Sequence, residues 1–308
     1  MEPRPISRRD AIAAFVSVGA AGALGRVPGV AAPSLLTRPI PRTGERIPVI
    51  GLGTWQTFDA DPAAAARGEL ARVLERFAAL GGAVVDSSPM YGRSESVVGA
   101  LAGQLGMRDR LFLATKVWTE GRARGVAQMD ESYRRLGVTR LDLMQVHNLV
   151  DVETHLETLA EWKAAGRVRY VGITHYVASA FPRLERLLAS HDLDFVQLNY
   201  AITDRAAEAR MLPAAAERGV ATLINRPYDG GGLFGKVRGR ALPDWAAEID
   251  CASWGQFFLK FILSHPAVTC VIPATSQVRH LEDNLGAGHG RLPDAAMRER
   301  MAATVAEF

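Results

Sequence analysis

The chain has 308 residues, a length that suits one large domain or two ordinary ones, and its composition is that of a globular protein. Its 36 lysines and arginines against 33 aspartates and glutamates give a net charge of only +3, with no block of like charges, so charge gives no support to a nucleic-acid partner. Two cysteines, Cys251 and Cys270, form no recognisable disulfide framework.

The first 32 residues differ in character from the rest. Arg8 and Arg9 precede an uncharged run rich in Ala and Gly from Ala11 to Leu24, shorter than the about 20 apolar residues of a membrane span. This layout is typical of an export signal and resembles the twin-arginine type, with small residues at 30–32 for cleavage. We expect a signal peptide over residues 1–32, export machinery as its partner, and a periplasmic or exported protein. The alternative is a disordered or amphipathic N-terminus, and the protein is cytoplasmic if the signal is not used.

Short apolar runs alternate with amphipathic helical stretches from residue 48 onward. The runs are PVIGLG (48–53), AVVD (83–86), LFLATK (111–116), LDLMQVH (141–147), VRYVGIT (168–174), DFVQLN (194–199), VATLIN (220–225) and AVTCVIPAT (267–275). Most are apolar on both faces, as parallel strands covered by helices are. Eight such units predict an α/β fold, a closed (β/α)8 TIM barrel over residues 33–308. In the preceding segment, TRPIPRTGERIPV, a Thr-Gly-Glu turn predicts an N-terminal β-hairpin that closes the barrel bottom.

A dinucleotide-binding Rossmann domain is the weaker alternative. GLGTWQ (51–56) begins like a glycine-rich fingerprint, but Gln56 stands at the third glycine position and no helical pattern follows it. The chain also offers no phosphate-binding loop with Lys followed by Ser or Thr.

Polar residues close most of the predicted strands at intervals close to the length of one strand–helix unit. They fall 30, 31, 27, 23 and 28 residues apart and are Asp86, Lys116, His147, Thr174, Gln197 and Asn225. Because the carboxyl ends of barrel strands meet on one face, we expect the side chains from Asp86 to Gln197 in this list to converge there, joined by Thr275 after the eighth strand. Tyr91 stands on the loop just beyond Asp86.

Four of these residues together suit the reduction of a carbonyl, although each alone has an ordinary structural explanation such as a helix cap or a core histidine. A phenol, with a pKa of about 10, is a weak acid at neutral pH, and a nearby ammonium lowers that pKa. Asp86 would keep Lys116 charged beside Tyr91, and a neutral His147 would position the carbonyl oxygen. The hydride has to come from a cofactor.

With these residues in place, the sequence resembles the aldo/keto reductase family. The resemblance covers nearly all of residues 38–290. The matching stretches are IPVIGLGTWQ, VVDSSPMYGRSESVVG, LFLATKVW, LDLMQVHN, GRVRYVGIT, FVQLNY and VIPATSQVRHLEDNLGA. The resemblance implies an NADP-dependent alcohol oxidoreductase that reduces aldehyde or ketone carbonyls by hydride transfer. In that role Tyr91 is the general acid, Lys116 and Asp86 tune it, and His147 orients a small-molecule carbonyl substrate.

The resemblance also implies a cofactor site and a substrate pocket. The residues implied at the nicotinamide are Thr54, Trp55, Thr174 and Gln197, of which the last two hold its carboxamide. Leu233 and Gly235 would line the pyrophosphate loop. The residues implied at the adenosine and its 2′-phosphate are Thr275, His280, Asp283 and Asn284. Trp55 and Trp118 would form walls of the substrate pocket.

Three positions depart from the family's usual pattern. Thr174 and His175 stand where many members have Ser-Asn. Asn225 stands where an aromatic residue usually stacks on the nicotinamide, and Tyr228 is a candidate substitute. A basic residue often found near Ser276 is absent, which keeps NAD open as an alternative cofactor to NADP.

Two other functions stay open. The missing aromatic residue and the expected export are compatible with a non-catalytic nicotinamide-binding sensor or accessory subunit on the same barrel. A metal-dependent barrel hydrolase would need several clustered His, Asp or Glu ligands at strand ends, and only His147 and His175 are offered there, so we expect no metal.

Overall fold

A β-hairpin begins the part of the chain that the computed structural model describes, residues 34–308; the predicted signal over residues 1–32 lies outside it. Strands β1 (Thr37–Pro39) and β2 (Arg46–Pro48) pair antiparallel, which confirms the predicted hairpin. Its turn contains Gly44 at φ 74°, in the left-handed region that glycine enters without strain.

Eight parallel strands follow, and each pairs with its neighbours in chain order. They are β3 (Leu52–Gly53), β4 (Val84–Asp86), β5 (Phe112–Val117), β6 (Leu141–His147), β7 (Val168–Thr174), β8 (Phe195–Asn199), β9 (Ala221–Asn225) and β10 (Cys270–Val271). Parallel bridges from Ile50 to Val271 and from Gly53 to Ala274 join the first strand of this sheet to the last. The sheet therefore closes on itself, and the predicted (β/α)8 barrel is confirmed.

Helices surround the strands and bury their apolar faces against them. They are α1 (Pro62–Ala65), α2 (Glu69–Ala79), α3 (Ser94–Gln104), α4 (Arg122–Leu136), α5 (Val152–Ala164), α6 (Phe181–Ser190), α7 (Ala206–Ala209), α8 (Met211–Glu217), α9 (Gly232–Lys236), α10 (Trp254–Leu263), α11 (Val278–Gly286) and α12 (Ala295–Ala306). In α2, for example, the buried residues Leu70, Val73, Leu74 and Phe77 recur at the spacing of one helix face. No helix among residues 34–308 combines the length and hydropathy needed to cross a membrane.

The hairpin closes the end of the barrel where the strands begin. Ile40 and Ile47 belong to a buried cluster with Phe112, Tyr170 and Phe195, which lie near the starts of β5, β7 and β8. The Tyr170 hydroxyl also donates to the carboxylate of Glu45 at 2.5 Å. Since this end is filled, the opposite end, where the strands finish, is the face available for a site.

Candidate active site

Asp86 and Lys116 form a buried ion pair at the ends of adjacent strands β4 and β5. Lys116 Nζ donates to Asp86 Oδ2 at 2.6 Å and to the Ser87 carbonyl at 2.7 Å. The side chain of Lys116 is 0% exposed and that of Asp86 is 3% exposed. Burial acts to lower the pKa of Lys116, but the carboxylate of Asp86 and the phenol of Tyr91 outweigh it and raise that pKa. The amine therefore stays charged.

Tyr91 lies on the turn after β4, with its ring centroid 4.9 Å from Lys116 Nζ. Burial raises the pKa of the Tyr91 phenol, and the charge of Lys116 lowers it only in part. The predicted effect of the ammonium is present, but the pKa lies above 10 because exclusion of water disfavours the phenolate more strongly. The phenol is thus protonated at neutral pH, as a proton donor has to be.

His147 ends β6 and lies beside Tyr91, with ring centroids 5.8 Å apart and planes at 83°. The hydroxyl of Ser88 lies 3.0 Å from His147 Nδ1. Burial, the charge of Lys116 and the nearby His175 lower the pKa of His147 to about 2. The ring is therefore neutral at physiological pH, and with Nδ1 bonded to the Ser88 hydroxyl, Nε2 can donate a hydrogen bond to a ligand.

Two glutamine side chains complete the surroundings of Asp86. Gln145 and Gln197 donate to Asp86 Oδ1 at 3.1 and 2.9 Å. Gln197 was among the predicted site residues, whereas Gln145 and Ser88 were missed. The available signal for Gln145 was its position two residues before His147 in β6, which gives both side chains the same face of the strand.

A cavity of about 710 Å³ opens at this end of the barrel. The predicted residues that line it are Thr54, Trp55, Asp86, Tyr91, Trp118, His147, Thr174 and Gln197. The structure therefore brings together the catalytic set, the residues predicted at the nicotinamide and both predicted pocket tryptophans. Five large apolar side chains around the same cavity are 37–47% exposed, namely Trp55, Met90, Trp118, Tyr176 and Phe234.

The other predicted cofactor residues do not line this cavity. They are Leu233 and Gly235 on α9, Thr275 after β10, and His280, Asp283 and Asn284 on α11. Two of these residues use side-chain oxygens as acceptors in hydrogen bonds within the protein. Asp283 accepts from Ser253 at 2.7 Å and from Gln256 at 2.9 Å, and Asn284 Oδ1 accepts from the Tyr228 hydroxyl at 2.6 Å. The role of this group toward a cofactor stays a prediction.

Tyr228, the candidate replacement for the missing aromatic residue, lines the cavity and links it to α11 through Asn284. Its ring packs against Phe234, with centroids 4.8 Å apart, and against Phe258, at 6.4 Å. The ring is therefore fixed as part of the cavity wall, while stacking on a nicotinamide stays a prediction.

The hydrolase alternative requires a cluster of metal ligands. Among residues 34–308, no three or more His, Cys, Asp or Glu side chains are grouped so that they could hold a metal ion. This part of the chain therefore offers no ligand set for that mechanism.

Comparison with known proteins identifies the family. The sequence model of the aldo/keto reductase family matches residues 49–303, and the chain belongs to that family. It is 30% identical over 271 residues to the aldo-keto reductase str7 of Strobilurus tenacellus, covering 74% of this chain and 80% of that protein. It is 26% identical over 246 residues to the methylglyoxal reductase YeaE of Escherichia coli, covering 77% of this chain and 84% of that protein.

Solved structures show the same fold. An aldo/keto reductase from Klebsiella pneumoniae in complex with NADP and acetate superposes with a TM-score of 0.72 at 23% identity, covering 85% of this chain and 93% of that one. The thermostable aldo-keto reductase Tm1743, in complex with the inhibitor epalrestat, superposes with a TM-score of 0.71 at 24% identity. The match covers 87% of this chain and 99% of that one.

Proposed function

We propose that the protein is an NADP(H)-dependent reductase that converts aldehyde or ketone carbonyls to alcohols. The observation that carries this proposal is the meeting of Asp86, Tyr91, Lys116 and His147 at one end of the barrel. Tyr91 supplies the proton for the carbonyl oxygen, and Lys116 stabilises the phenolate that remains. Neutral His147 donates a hydrogen bond to the same oxygen.

A nicotinamide cofactor fits the residues that line the cavity. When bound, it supplies the hydride that the carbonyl carbon needs. Among residues 34–308 the buried amide oxygen of Asn225, a residue of this lining, has no hydrogen-bond partner, and Arg226 adds a cationic side chain suited to a ligand with phosphate groups. A structurally similar reductase from Klebsiella pneumoniae was solved in complex with NADPH, which supports NADP(H) rather than NAD(H).

The substrate is proposed to be a carbonyl compound with an apolar portion. The exposed aromatic side chains at the mouth, such as Trp55, Trp118 and Phe234, offer flat apolar surfaces for that portion. The relative from Escherichia coli is named a methylglyoxal reductase, so a small dicarbonyl belongs in the same test panel.

Oxidation of NADPH, followed by its absorbance with an aromatic aldehyde and methylglyoxal as substrates, tests the function. Tyr91→Phe is expected to lower the rate at least about 10²-fold and to keep NADPH binding, because the phenol acts only on the reacting carbonyl. Equal rates in both proteins would contradict the role of Tyr91. NADPH binding without turnover of any carbonyl would instead favour the non-catalytic sensor.

For location, we propose that residues 1–32 direct export by the twin-arginine route, because Arg8 and Arg9 precede an uncharged run. Expression of the full chain and of an Arg8→Lys, Arg9→Lys double variant in a bacterial host, followed by fractionation, tests this. We expect export of the first and retention of the second in the cytoplasm. Identical distributions would contradict the proposal.

A further inference from the structure

The segment of residues 118–121 connects β5 to α4 without regular structure, and side chains from elsewhere in the chain hold its backbone. Asp151, which immediately precedes α5, accepts from the Gly121 N–H at 2.7 Å. His155, a completely buried residue of α5, has Nε2 2.7 Å from the Thr119 carbonyl. A carbonyl oxygen is only an acceptor, so Nε2 of His155 is the donor. The end of the segment next to α4 is therefore attached to α5.

Gln128, in α4, bonds both polar backbone groups of Trp118. The Trp118 N–H donates to Gln128 Oε1 at 2.5 Å, and Gln128 Nε2 donates to the Trp118 carbonyl at 3.1 Å. Trp118 is the first residue after β5, which ends at Val117. The Gln128 amide thus supplies the donor and the acceptor that a neighbouring strand supplies within the sheet. One side chain therefore fixes the backbone from which the indole of Trp118 projects.

The indole of Trp118 is an exposed part of the cavity wall next to His147. The centroids of the two rings lie 6.3 Å apart, with their planes at 57°. In the proposed reaction His147 donates a hydrogen bond to the carbonyl oxygen of the substrate. A substituent on that carbonyl therefore lies within reach of the indole, which offers it a flat apolar surface.

We propose that Gln128 is a positioning residue that favours substrates with an aromatic or bulky apolar group beside the carbonyl. It does so by holding the indole of Trp118 in place before the substrate binds. Without the bonds from Gln128, the substrate has to order the backbone of Trp118 on binding, and the entropy lost weakens the complex. A substrate too small to contact the indole bears no such cost. The inference rests on the proposed function and narrows its substrate class.

Two ketones test the inference without turnover. Acetophenone differs from acetone only in a phenyl group that replaces one methyl group, and NADP⁺ cannot reduce either. Calorimetric titration of the protein saturated with NADP⁺ gives both dissociation constants, and wild type should bind acetophenone more tightly. Gln128→Ala should weaken acetophenone binding about fivefold and change acetone binding by less than about twofold. Alanine is the most favourable helix residue, so α4 should stay intact.

Trp118→Ala separates positioning of the indole from a general effect on the fold. Once the indole is absent, adding Gln128→Ala should not weaken acetophenone binding further. Gln104→Ala is a matched control. Gln104, in α3, also donates to a loop carbonyl, that of Ala66 at 3.1 Å, and neither residue lines the cavity. This variant should keep both wild-type dissociation constants.

Turnover provides a second readout. With NADPH, Gln128→Ala should raise KM for acetophenone about fivefold and change kcat by less than about twofold, because Gln128 acts on the wall and not on the proton donor.

The inference is overturned if wild type does not prefer acetophenone, if Gln128→Ala weakens neither ketone or both equally, or if its effect persists in the Trp118→Ala background. A wild-type protein that binds neither ketone would overturn the proposed function as well. The expected binding pattern without any oxidation of NADPH would defeat only the catalytic proposal.

Discussion

Lys116 Nζ lies 2.6 Å from Asp86 Oδ2, and solvent reaches almost nothing of either side chain. A buried ion pair adds little net stability, because the cost of removing two charges from water offsets their attraction. Losing one partner is a different matter, since the other charge then stays buried alone. The pair therefore contributes mainly by keeping a positive charge beside the phenol of Tyr91.

Lys116→Met is expected to lower the free energy of unfolding by about 3–5 kcal/mol, because Asp86 loses its counter-ion inside the protein. Addition of Asp86→Asn should recover at least half of that loss. The asparagine removes the charge and keeps an oxygen for the amides of Gln145 and Gln197. Urea denaturation of the three proteins provides the measurement, and a double variant as unstable as Lys116→Met would show that the unpaired charge is not the cause.

The neutral state of His147 predicts a dependence of stability on pH. Its pKa of about 2 in the folded protein lies below the 6.5 of an unperturbed histidine. Between these values the unfolded chain binds a proton that the folded protein does not, so stability falls as pH falls below about 6.5. For this group alone we expect a loss of about 2 kcal/mol from pH 7 to pH 5.

His147→Gln isolates that contribution, because glutamine does not titrate. Wild type and variant contain the same carboxyl groups, so the effect of those groups on stability cancels in the comparison. Urea denaturation at pH 7 and pH 5 should show a loss about 2 kcal/mol smaller in the variant than in wild type. Equal losses in the two proteins would mean that His147 takes up a proton in the folded state.

The raised pKa of Tyr91 predicts the pH profile of carbonyl reduction. The phenol has to be protonated to act as the acid, and burial keeps it so above its usual range. Because the pKa of this phenol is raised, we expect kcat for NADPH-dependent reduction to stay constant from about pH 6 to about pH 10, the ordinary pKa of a phenol, and to fall only above that. A kcat that already falls with rising pH near pH 7 would show that Lys116 outweighs burial in the working enzyme.

The barrel and the catalytic set could be predicted because both leave local marks in the sequence. Each strand is an apolar run, and the residue that closes it, such as Asp86 or His147, reaches the active face by the geometry of the fold alone. The spacing of the strands along the sequence therefore predicts which side chains meet in the folded protein. The hairpin was predictable for the same reason, since its turn chemistry is local.

Contacts that depend on packing were not accessible from the sequence. Gln145 looked like one residue of a core strand, and its bond to Asp86 follows from the alignment of β4, β5 and β6. The balance of effects on the pKa of Tyr91 depends on how far the folded protein excludes water. That the buried oxygen of Asn225 has no partner among residues 34–308 is likewise visible only once the contacts of its neighbours are known.

The hairpin offers a test that separates folding from the site. Ile40 is completely buried at the barrel bottom, so Ile40→Ala should lower the free energy of unfolding by about 2–5 kcal/mol. Since the cavity lies at the other end, the dissociation constant for NADPH should not change. Leu36→Ala, at a residue 36% exposed beside the same hairpin, is the control and should cost less than about 1 kcal/mol. Urea denaturation and fluorescence titration give both quantities, and weaker NADPH binding by Ile40→Ala in the folded state would show that the hairpin influences the active face.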